Sequence, residues 1–111
     1  MKYKLFLDDL RDVSMVYESL TNEDFIIVRN FDDFVDCISK NGLPEFISFD
    51  NDLGVDLDGE LLKDGYACTK WLVYSSNLDL SNLKFNVHSA NPVASIQIES
   101  LLTNYIEHLK K

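Results

Sequence analysis

The chain has 111 residues, of which 46% are hydrophobic, and its formal net charge is −9. This length supports one hydrophobic core, so we predict a single domain over residues 1–111. A passive nucleic-acid binder is usually basic, because neutralising phosphates supplies its affinity. The acidic balance therefore argues against an extended nucleic-acid surface. Any phosphate ligand would need a bound cation or a small local basic patch.

Membrane and secretory signals are not found in the sequence. No apolar run approaches the roughly 18–20 residues of a membrane span, and the amino-terminal residues lack the pattern of a secretory signal. The two cysteines, Cys37 and Cys68, lie far apart at apolar positions of predicted helices. We interpret them as reduced core thiols, which is typical of a reducing compartment. These features predict a cytoplasmic protein without membrane contact.

The first half of the chain alternates between strand-like and helix-like segments. Residues 3–8 form an apolar run that ends in acid, which predicts a first strand. Residues 13–20 carry apolar side chains at helical spacing and predict a short helix. The β-branched and aromatic residues of 24–29 predict a second strand. Asn30 can cap a helix that we predict over 31–40.

The second half continues this alternation. Residues 46–50 are apolar on both faces, as expected of a central strand that is covered on both sides. An acid-rich loop over 51–64 leads into a helix predicted over 65–76. Residues 84–88 alternate between apolar and polar, which predicts a half-exposed edge strand. The apolar stripe of residues 94–111 predicts the last helix.

This order predicts an α/β fold with a four-stranded parallel sheet. We expect the strand order 2-1-3-4, helices on both faces and right-handed crossovers. Sheets of this kind bind ligands beyond the carboxyl ends of their strands, where the strand order reverses. Here that point lies between the first and third strands.

Acidic residues end both of the strands that flank this point. Asp8 and Asp9 end the first strand, and Asp50 and Asp52 follow the third. Carboxylates that lie this close repel one another unless they are protonated or bridged by a cation. Their hard oxygen atoms suit Mg²⁺, Mn²⁺ or Ca²⁺. We predict a divalent-metal site here; the alternative is a set of solvated loop acids.

A second polar group follows the fourth strand and opens on the same edge of the sheet. It consists of His88, Ser89 and Asn91. Histidine can act as an acid or a base near neutral pH, and the other two side chains can hydrogen-bond phosphate oxygens. Arg11 follows the first acids and can return positive charge to the site. The alternative is an edge-strand histidine followed by a helix-capping turn.

The pattern resembles the flavodoxin-like receiver fold of response regulators, a three-layer sandwich. The shared features are paired acids after the first strand, an aspartate that ends the third and a hydroxyl residue that ends the fourth. By this resemblance Asp8 and Asp9 would hold Mg²⁺, Asp50 would accept a phosphoryl group and Ser89 would be the switch hydroxyl. Two features depart from the pattern. The fifth β-α unit, which supplies a lysine in receivers, is missing, and the chain also carries Asp52 and the His88 motif, which such a switch does not need.

A closer resemblance is to the divergent cyclic-phosphate processing receiver domains. Five stretches carry it in the right order and cover most of the chain: LFLDDLRD (5–12), VRNFDDFV (28–35), ISFDNDLG (47–54), DGYACTKWLV (64–73) and VHSANP (87–92). The resemblance implies action on cyclic phosphate ends, including the 2′,3′-cyclic phosphate of RNA. It thereby implies a role in RNA repair or processing.

Three functions are consistent with these residues. The first is a metal-dependent phosphoesterase that opens a cyclic phosphodiester with Mg²⁺ or Mn²⁺. It would use His88 and Asp50 in catalysis and would steady the phosphate with Arg11, Ser89 and Asn91. The alternatives are a stand-alone phospho-acceptor switch and a non-catalytic module that binds a nucleotide or a protein. The expected partner is a phosphate-containing small molecule or an RNA end.

Overall fold

A computed structural model describes residues 2–111 of the chain. Its main elements are strands β1 (Lys4–Leu7), β2 (Ile26–Val28), β3 (Phe46–Phe49) and β4 (Lys84–Val87), and helices α1 (Phe31–Asn41), α2 (Gly65–Tyr74) and α3 (Pro92–Leu109). The strands form one parallel sheet in the order β2-β1-β3-β4. The predicted α/β class and strand order are therefore confirmed.

The segment between β1 and β2 differs from the prediction. The helix predicted over 13–20 is wrong, because the structure has only short 3-10 helices at Val13–Met15 and Asn22–Asp24. The Asn22 side chain accepts a hydrogen bond from the backbone N–H of Val13 at 2.9 Å and closes the segment into a loop. Its apolar side chains still pack on the sheet. Tertiary packing thus overrides a weak local helical preference.

The two faces of the sheet are covered in different ways. All three α-helices pack on the face that carries Leu5, Leu7, Ile47 and Phe49, where they form the larger core. On the opposite face, a smaller cluster around Phe6 is covered by the loop between β1 and β2. The helices on this second face are the short 3-10 turns, so this layer is thin. No helix within residues 2–111 has the length and apolarity needed to cross a bilayer.

Alternation along the strands sorts the side chains of the second face into rows. In strand register, the row at the amino ends is Lys4, Phe46 and Lys84, and the middle row is Phe6, Ser48 and Asn86. The same alternation continues to a row at the carboxyl ends, which contains Asp8, Asp50 and His88. The sheet therefore presents lysines at one end of this face and the predicted site residues at the other.

Candidate functional site

The carboxyl ends of β1 and β3 gather three carboxylates. Asp8, Asp9 and Asp50 each offer one oxygen, and these atoms all lie within 4.8 Å of one another. Asp8 and Asp50 are only 1% and 6% exposed. Together with Arg11 and Asp52, the three acids line an open pocket of about 410 Å³, here called the acidic pocket. The structure thus brings together the acids that the sequence singled out.

Asp8 is fully engaged in hydrogen bonds. Its Oδ1 accepts from the backbone N–H groups of Leu10 and Arg11 at 2.9 and 2.8 Å. Its Oδ2 accepts from Arg11 Nε at 2.7 Å and lies 3.1 Å from His88 Nε2. Burial raises the pKa of Asp8, but these donors and the Arg11 charge outweigh burial and hold the pKa below its usual value. Asp8 is therefore ionised at neutral pH.

Asp50 behaves in the opposite way. Burial and the neighbouring Asp8 charge raise the pKa of Asp50 from 3.8 to about 6, although Arg11 opposes the rise. Its Oδ1 accepts from the backbone N–H of Asn51 at 2.8 Å and lies 3.5 Å from Arg11 Nη2. Ionising Asp50 is therefore costly, first because the carboxyl is buried and second because it lies beside the ionised Asp8. A bound cation would relieve this repulsion.

The donor set fits a divalent cation. Within residues 2–111 the Asp9 carboxylate accepts no hydrogen bond, and Asp50 accepts one on Oδ1, so these two residues carry the least engaged oxygens. A few hard oxygen ligands beside an open pocket suit Mg²⁺ or Mn²⁺, because such ions keep waters and take up substrate oxygens. Asp52 lines the same pocket but lies outside the group of three, and its Oδ1 accepts from Asn51 Nδ2 at 3.2 Å.

His88 lies beneath the acids, on the second face of the sheet. Its side chain is 3% exposed, and its ring stacks on Phe6 with centroids 4.8 Å apart. Nε2 lies 3.1 Å from Asp8 Oδ2, and Nδ1 lies 2.6 Å from Ser48 Oγ. Burial lowers the pKa of His88, although the Asp8 carboxylate acts to raise it. Both ring nitrogens are thus occupied, and the ring is neutral near pH 7.

A chain of hydrogen bonds continues from His88 to the surface. Ser48 Oγ lies 2.7 Å from Tyr17 Oη, which accepts from Asn86 Nδ2 at 2.9 Å. Because ionised Asp8 only accepts, a neutral His88 must donate from Nε2 and accept at Nδ1. Ser48 then donates to His88 and accepts from Tyr17. We call Asn86, Tyr17, Ser48 and His88 the donor chain, because each of them donates a hydrogen bond to the next and His88 donates to Asp8.

Arg11 lies beside the acids, as the sequence suggested. Besides its bonds to Asp8, its Nη2 donates to the backbone carbonyl of His88 at 3.3 Å. Arg29 Nη1 holds the start of the loop between β1 and β2 in place by donating to the backbone carbonyls of Asp8 and Arg11 at 3.1 and 2.6 Å. The Arg11 guanidinium therefore carries positive charge into the acidic pocket in a fixed orientation.

Ser89 and Asn91 shape the start of α3. Asn91 Oδ1 accepts from the backbone N–H of Ala94 at 3.2 Å, which makes Asn91 the helix cap. Ser89 Oγ accepts from the backbone N–H of Asn91 at 3.1 Å. Neither side chain is part of the described lining of the acidic pocket, which Ala90 reaches instead. Their contact with a phosphate stays a prediction.

The sequence patterns did not single out Ser48, Tyr17 or Gly65 as residues of the site. The position of Ser48 could have indicated its role, because a hydroxyl inside a strand that is apolar on both faces needs a hydrogen-bond partner. Gly65 begins α2, where an added Cβ would overlap the backbone carbonyl oxygen of Asp50. Its own N–H donates to the Asn51 carbonyl at 2.8 Å. The glycine thus lets α2 approach the end of β3 closely and fix Asp50.

Comparison with known proteins agrees with this geometry. A family model described as the cyclic-phosphate processing receiver domain matches residues 3–104. The chain belongs to this family. The resemblance carried by the five sequence stretches is confirmed, and membership indicates a role in cyclic-phosphate processing for this receiver domain.

A solved structure supports the fold of the receiver domain. It is a fusion that contains the yeast Spc42 trimeric coiled coil, and it aligns with a TM-score of 0.51 and 16% identity. The alignment covers 98% of this chain and 77% of that chain. At this identity the likeness shows the fold alone. No curated protein matches the receiver domain.

Proposed function

We propose that this receiver domain is a metal-dependent phosphoesterase that opens a cyclic phosphodiester, in RNA repair or processing. One observation carries the proposal: oxygens of Asp8, Asp9 and Asp50 converge within 4.8 Å beside an open pocket. Such a cluster is costly without a cation. The family match supplies the class of substrate, a cyclic phosphate.

The acids would hold the cation. Asp9 and Asp50 offer the least engaged oxygens and would bind it most directly, while Asp8 adds negative charge. When bound, Mg²⁺ or Mn²⁺ would polarise the phosphoryl oxygens and lower the pKa of a water molecule. Asp52, on the lining of the same pocket, would support this site from its edge.

Arg11 would bind the substrate phosphate. Its Nε is committed to Asp8 at 2.7 Å, which fixes the plane of the guanidinium. Its Nη2 lies 3.5 Å from Asp50 Oδ1, so the positive charge lies where a phosphate would meet the acids. Phosphoryl chemistry is mostly positioning and stabilisation of charge, and a guanidinium suits phosphate oxygens.

His88 would act through Asp8 as a positioning residue. Both of its ring nitrogens are bonded, to Asp8 and to Ser48, and its side chain is buried. It therefore fixes the orientation of the Asp8 carboxylate, as outer-shell partners do at metal sites. We propose this role in place of the direct part in catalysis that the sequence predicted for His88.

A phospho-acceptor switch is the second candidate function. The observation that favours it is the 3.5 Å separation of Arg11 Nη2 from Asp50 Oδ1, because a cation there would steady a phosphoryl group on Asp50. The described lining of the acidic pocket contains no lysine for this task. Transfer of a labelled phosphoryl group from a small phosphodonor, lost in Asp50→Asn, would support the switch.

Hydrolysis of 2′,3′-cyclic mononucleotides and of RNA with a cyclic phosphate end tests the proposal, with Mg²⁺, Mn²⁺ or EDTA. We expect metal-dependent ring opening that falls about 100-fold or more in Asp50→Asn. Asp36→Asn is the matched control, because Asp36 is an exposed acid of α1. Binding of the cyclic nucleotide without turnover would instead favour the non-catalytic module. No opening with any of these metals would contradict the phosphoesterase.

A further inference from the structure

A second pocket, at the amino ends of the strands, gathers positive charge. We call it the lysine groove; it has a volume of about 550 Å³ and is lined by Lys2, Lys4, Lys84, Tyr17, Phe25 and Phe46, among others. Its volume lies in the usual range for ligand sites. Three of the 10 lysines and arginines of the chain line the groove, against one of its 19 acids, Glu45.

In the part of the chain that the structure describes, these lysines have no close carboxylate partner, although Glu45 lines the same groove. Within residues 2–111, none of the three forms an ion pair with an aspartate or glutamate. Lys2 and Lys84 are exposed, and Lys4 is half-buried. On a chain of net charge −9, the groove is thus a local basic patch that can attract an anion.

The rest of the lining is aromatic. Phe46 is half-buried, so part of its ring remains open to the groove. Phe25 packs against both neighbours, with its ring centroid 6.1 Å from that of Phe46 and 6.1 Å from that of Tyr17. Cations at the rim of an aromatic surface suit a ligand that carries both phosphate and an aromatic base. A nucleotide has this combination.

The lysine groove lies on the same face of the sheet as the acidic pocket. Lys4 precedes Asp8 by four residues on β1, and Lys84 precedes His88 by four residues on β4. At about 3.3 Å per residue, each pair spans about 13 Å. β4 is an edge strand, and its exposed Asn86 lies between the two pockets.

We propose that the lysine groove binds one nucleotide of a single-stranded RNA whose cyclic phosphate end lies in the acidic pocket. This inference rests on the proposed function and names its substrate as an oligonucleotide rather than a mononucleotide. The strand passes Asn86 along the edge of β4, the base stacks on Phe46, and the lysines contact backbone phosphate. The contact is one groove and not an extended nucleic-acid surface.

Fluorescence anisotropy with a labelled single-stranded oligoribonucleotide tests the proposal. The probe has no terminal phosphate and the buffer contains EDTA, so neither turnover nor a bound metal contributes. We expect Lys4→Gln/Lys84→Gln to weaken binding about tenfold and to reduce the salt slope by about 1.4. The matched control, Lys110→Gln/Lys111→Gln, removes the same charge from two exposed lysines at the other end of the chain and should bind like the wild type.

Two more variants keep the test decisive. Lys2→Gln/Lys84→Gln changes only exposed side chains, so it replaces the first variant if that one fails to fold. Phe46→Leu keeps the charge and removes the ring, and it should also weaken binding about tenfold, since the base would lose its stacking partner. Wild-type protein that does not bind the probe, or equal weakening in the control, would overturn the proposal. Displacement of the probe by polyglutamate as readily as by unlabelled RNA would overturn it too.

The outcome for the groove can be separated from the outcome for the enzyme. Lysine-dependent binding, with no hydrolysis of any cyclic phosphate, would retain the lysine groove and reject the phosphoesterase. Metal-dependent hydrolysis, with RNA binding that is unchanged in the lysine and Phe46 variants, would retain the phosphoesterase and overturn the proposal for the groove.

Discussion

His88 Nε2 lies 3.1 Å from Asp8 Oδ2, and this contact joins the acidic pocket to the buried middle of the sheet. On its other nitrogen, His88 meets Ser48 Oγ at 2.6 Å. Ser48 in turn contacts Tyr17 from the loop between β1 and β2. The orientation of Asp8 therefore depends on hydroxyl groups that lie outside the pocket.

Ser48→Ala tests the donor chain. Without the hydroxyl, Nδ1 of His88 loses its donor, and the imidazole can change tautomer and release Asp8. We expect kcat to fall about 10- to 100-fold with little change in KM, and Tyr17→Phe to have a smaller effect. The ring ¹⁵N shifts of His88 should move in both variants, which reports the tautomer independently of activity.

Ser76→Ala is the matched control for Ser48→Ala. Ser76 Oγ donates to the Leu72 carbonyl at 2.6 Å, at the end of α2 and away from the acidic pocket. It should leave kcat and the His88 shifts unchanged. An equal loss of kcat in both serine variants would mean that the donor chain has no special role.

Asp50 should make stability depend on pH in a predictable direction. Its folded-state pKa of about 6 lies above the ordinary value of 3.8. The proton is thus held more tightly in the folded state, so this stabilisation is complete below about pH 4 and is lost as the pH rises through about 6. The loss amounts to at most about 3 kcal/mol in the free energy of unfolding.

Urea unfolding of Asp50→Asn measures this loss in the free energy of unfolding directly. In EDTA at pH 8, the variant should be more stable than the wild type, and the difference should disappear towards pH 4. Mg²⁺ at pH 8 should stabilise the wild type and have little effect on the variant. A variant that is less stable than the wild type at pH 8 would contradict the raised pKa.

Arg11→Gln should affect cation and substrate in opposite directions. The guanidinium lies 2.7 Å from Asp8 Oδ2 and 3.5 Å from Asp50 Oδ1, so it repels a cation bound to these acids. Its removal should raise Mn²⁺ affinity about tenfold or more and should raise KM for the cyclic substrate. Calorimetric titration with Mn²⁺ and initial rates measure the two effects. Lys40→Gln, which removes an exposed charge from α1, should change neither the Mn²⁺ affinity nor KM. Weaker Mn²⁺ binding in Arg11→Gln would argue against a cation at these acids.

Gly65→Ala should destabilise the fold more than Gly59→Ala. A Cβ at Gly65 meets the Asp50 carbonyl oxygen, so α2 must move and the overpacking should cost about 3 kcal/mol. A Cβ at Gly59 meets nothing within 4 Å, and its φ of +82° alone should cost about 1 kcal/mol. Denaturant unfolding measures both values. Equal losses would show that the close approach of α2 to β3 is not required.

Much of the fold could be predicted because each element has a local cause. The run FISFD is apolar on both faces, Asn30 caps α1, and α3 has a continuous apolar stripe; these elements lie within two residues of their predicted bounds. The helix predicted over 13–20 is wrong because an irregular backbone packs the apolar side chains of this segment against the sheet. The spacing of apolar residues alone cannot distinguish such a segment from a helix.

The candidate site was predictable in position but not in detail. Strand ends and strand order placed Asp8 and Asp50 together, because the carboxyl ends of parallel neighbours share one edge. The burial of His88 and its bonds to Ser48 depend on how deeply one ring enters the second face. Such depth is set by tertiary packing and has no signature in residue spacing. The lysine groove has the same origin, since only strand register places Lys4 and Lys84 on either side of Phe46.

The most direct test follows the phosphorus atom of the 2′,3′-cyclic phosphate end of a short RNA by ³¹P NMR in the presence of the protein and Mg²⁺. We predict that the cyclic diester resonance converts to a monoester resonance with wild-type protein and with Asp36→Asn. It should persist with Asp50→Asn and in EDTA, because the three carboxylates then lack a ligand or the cation. A cyclic resonance that persists with folded wild-type protein in Mg²⁺ and in Mn²⁺, or that converts equally with Asp50→Asn, would contradict the phosphoesterase.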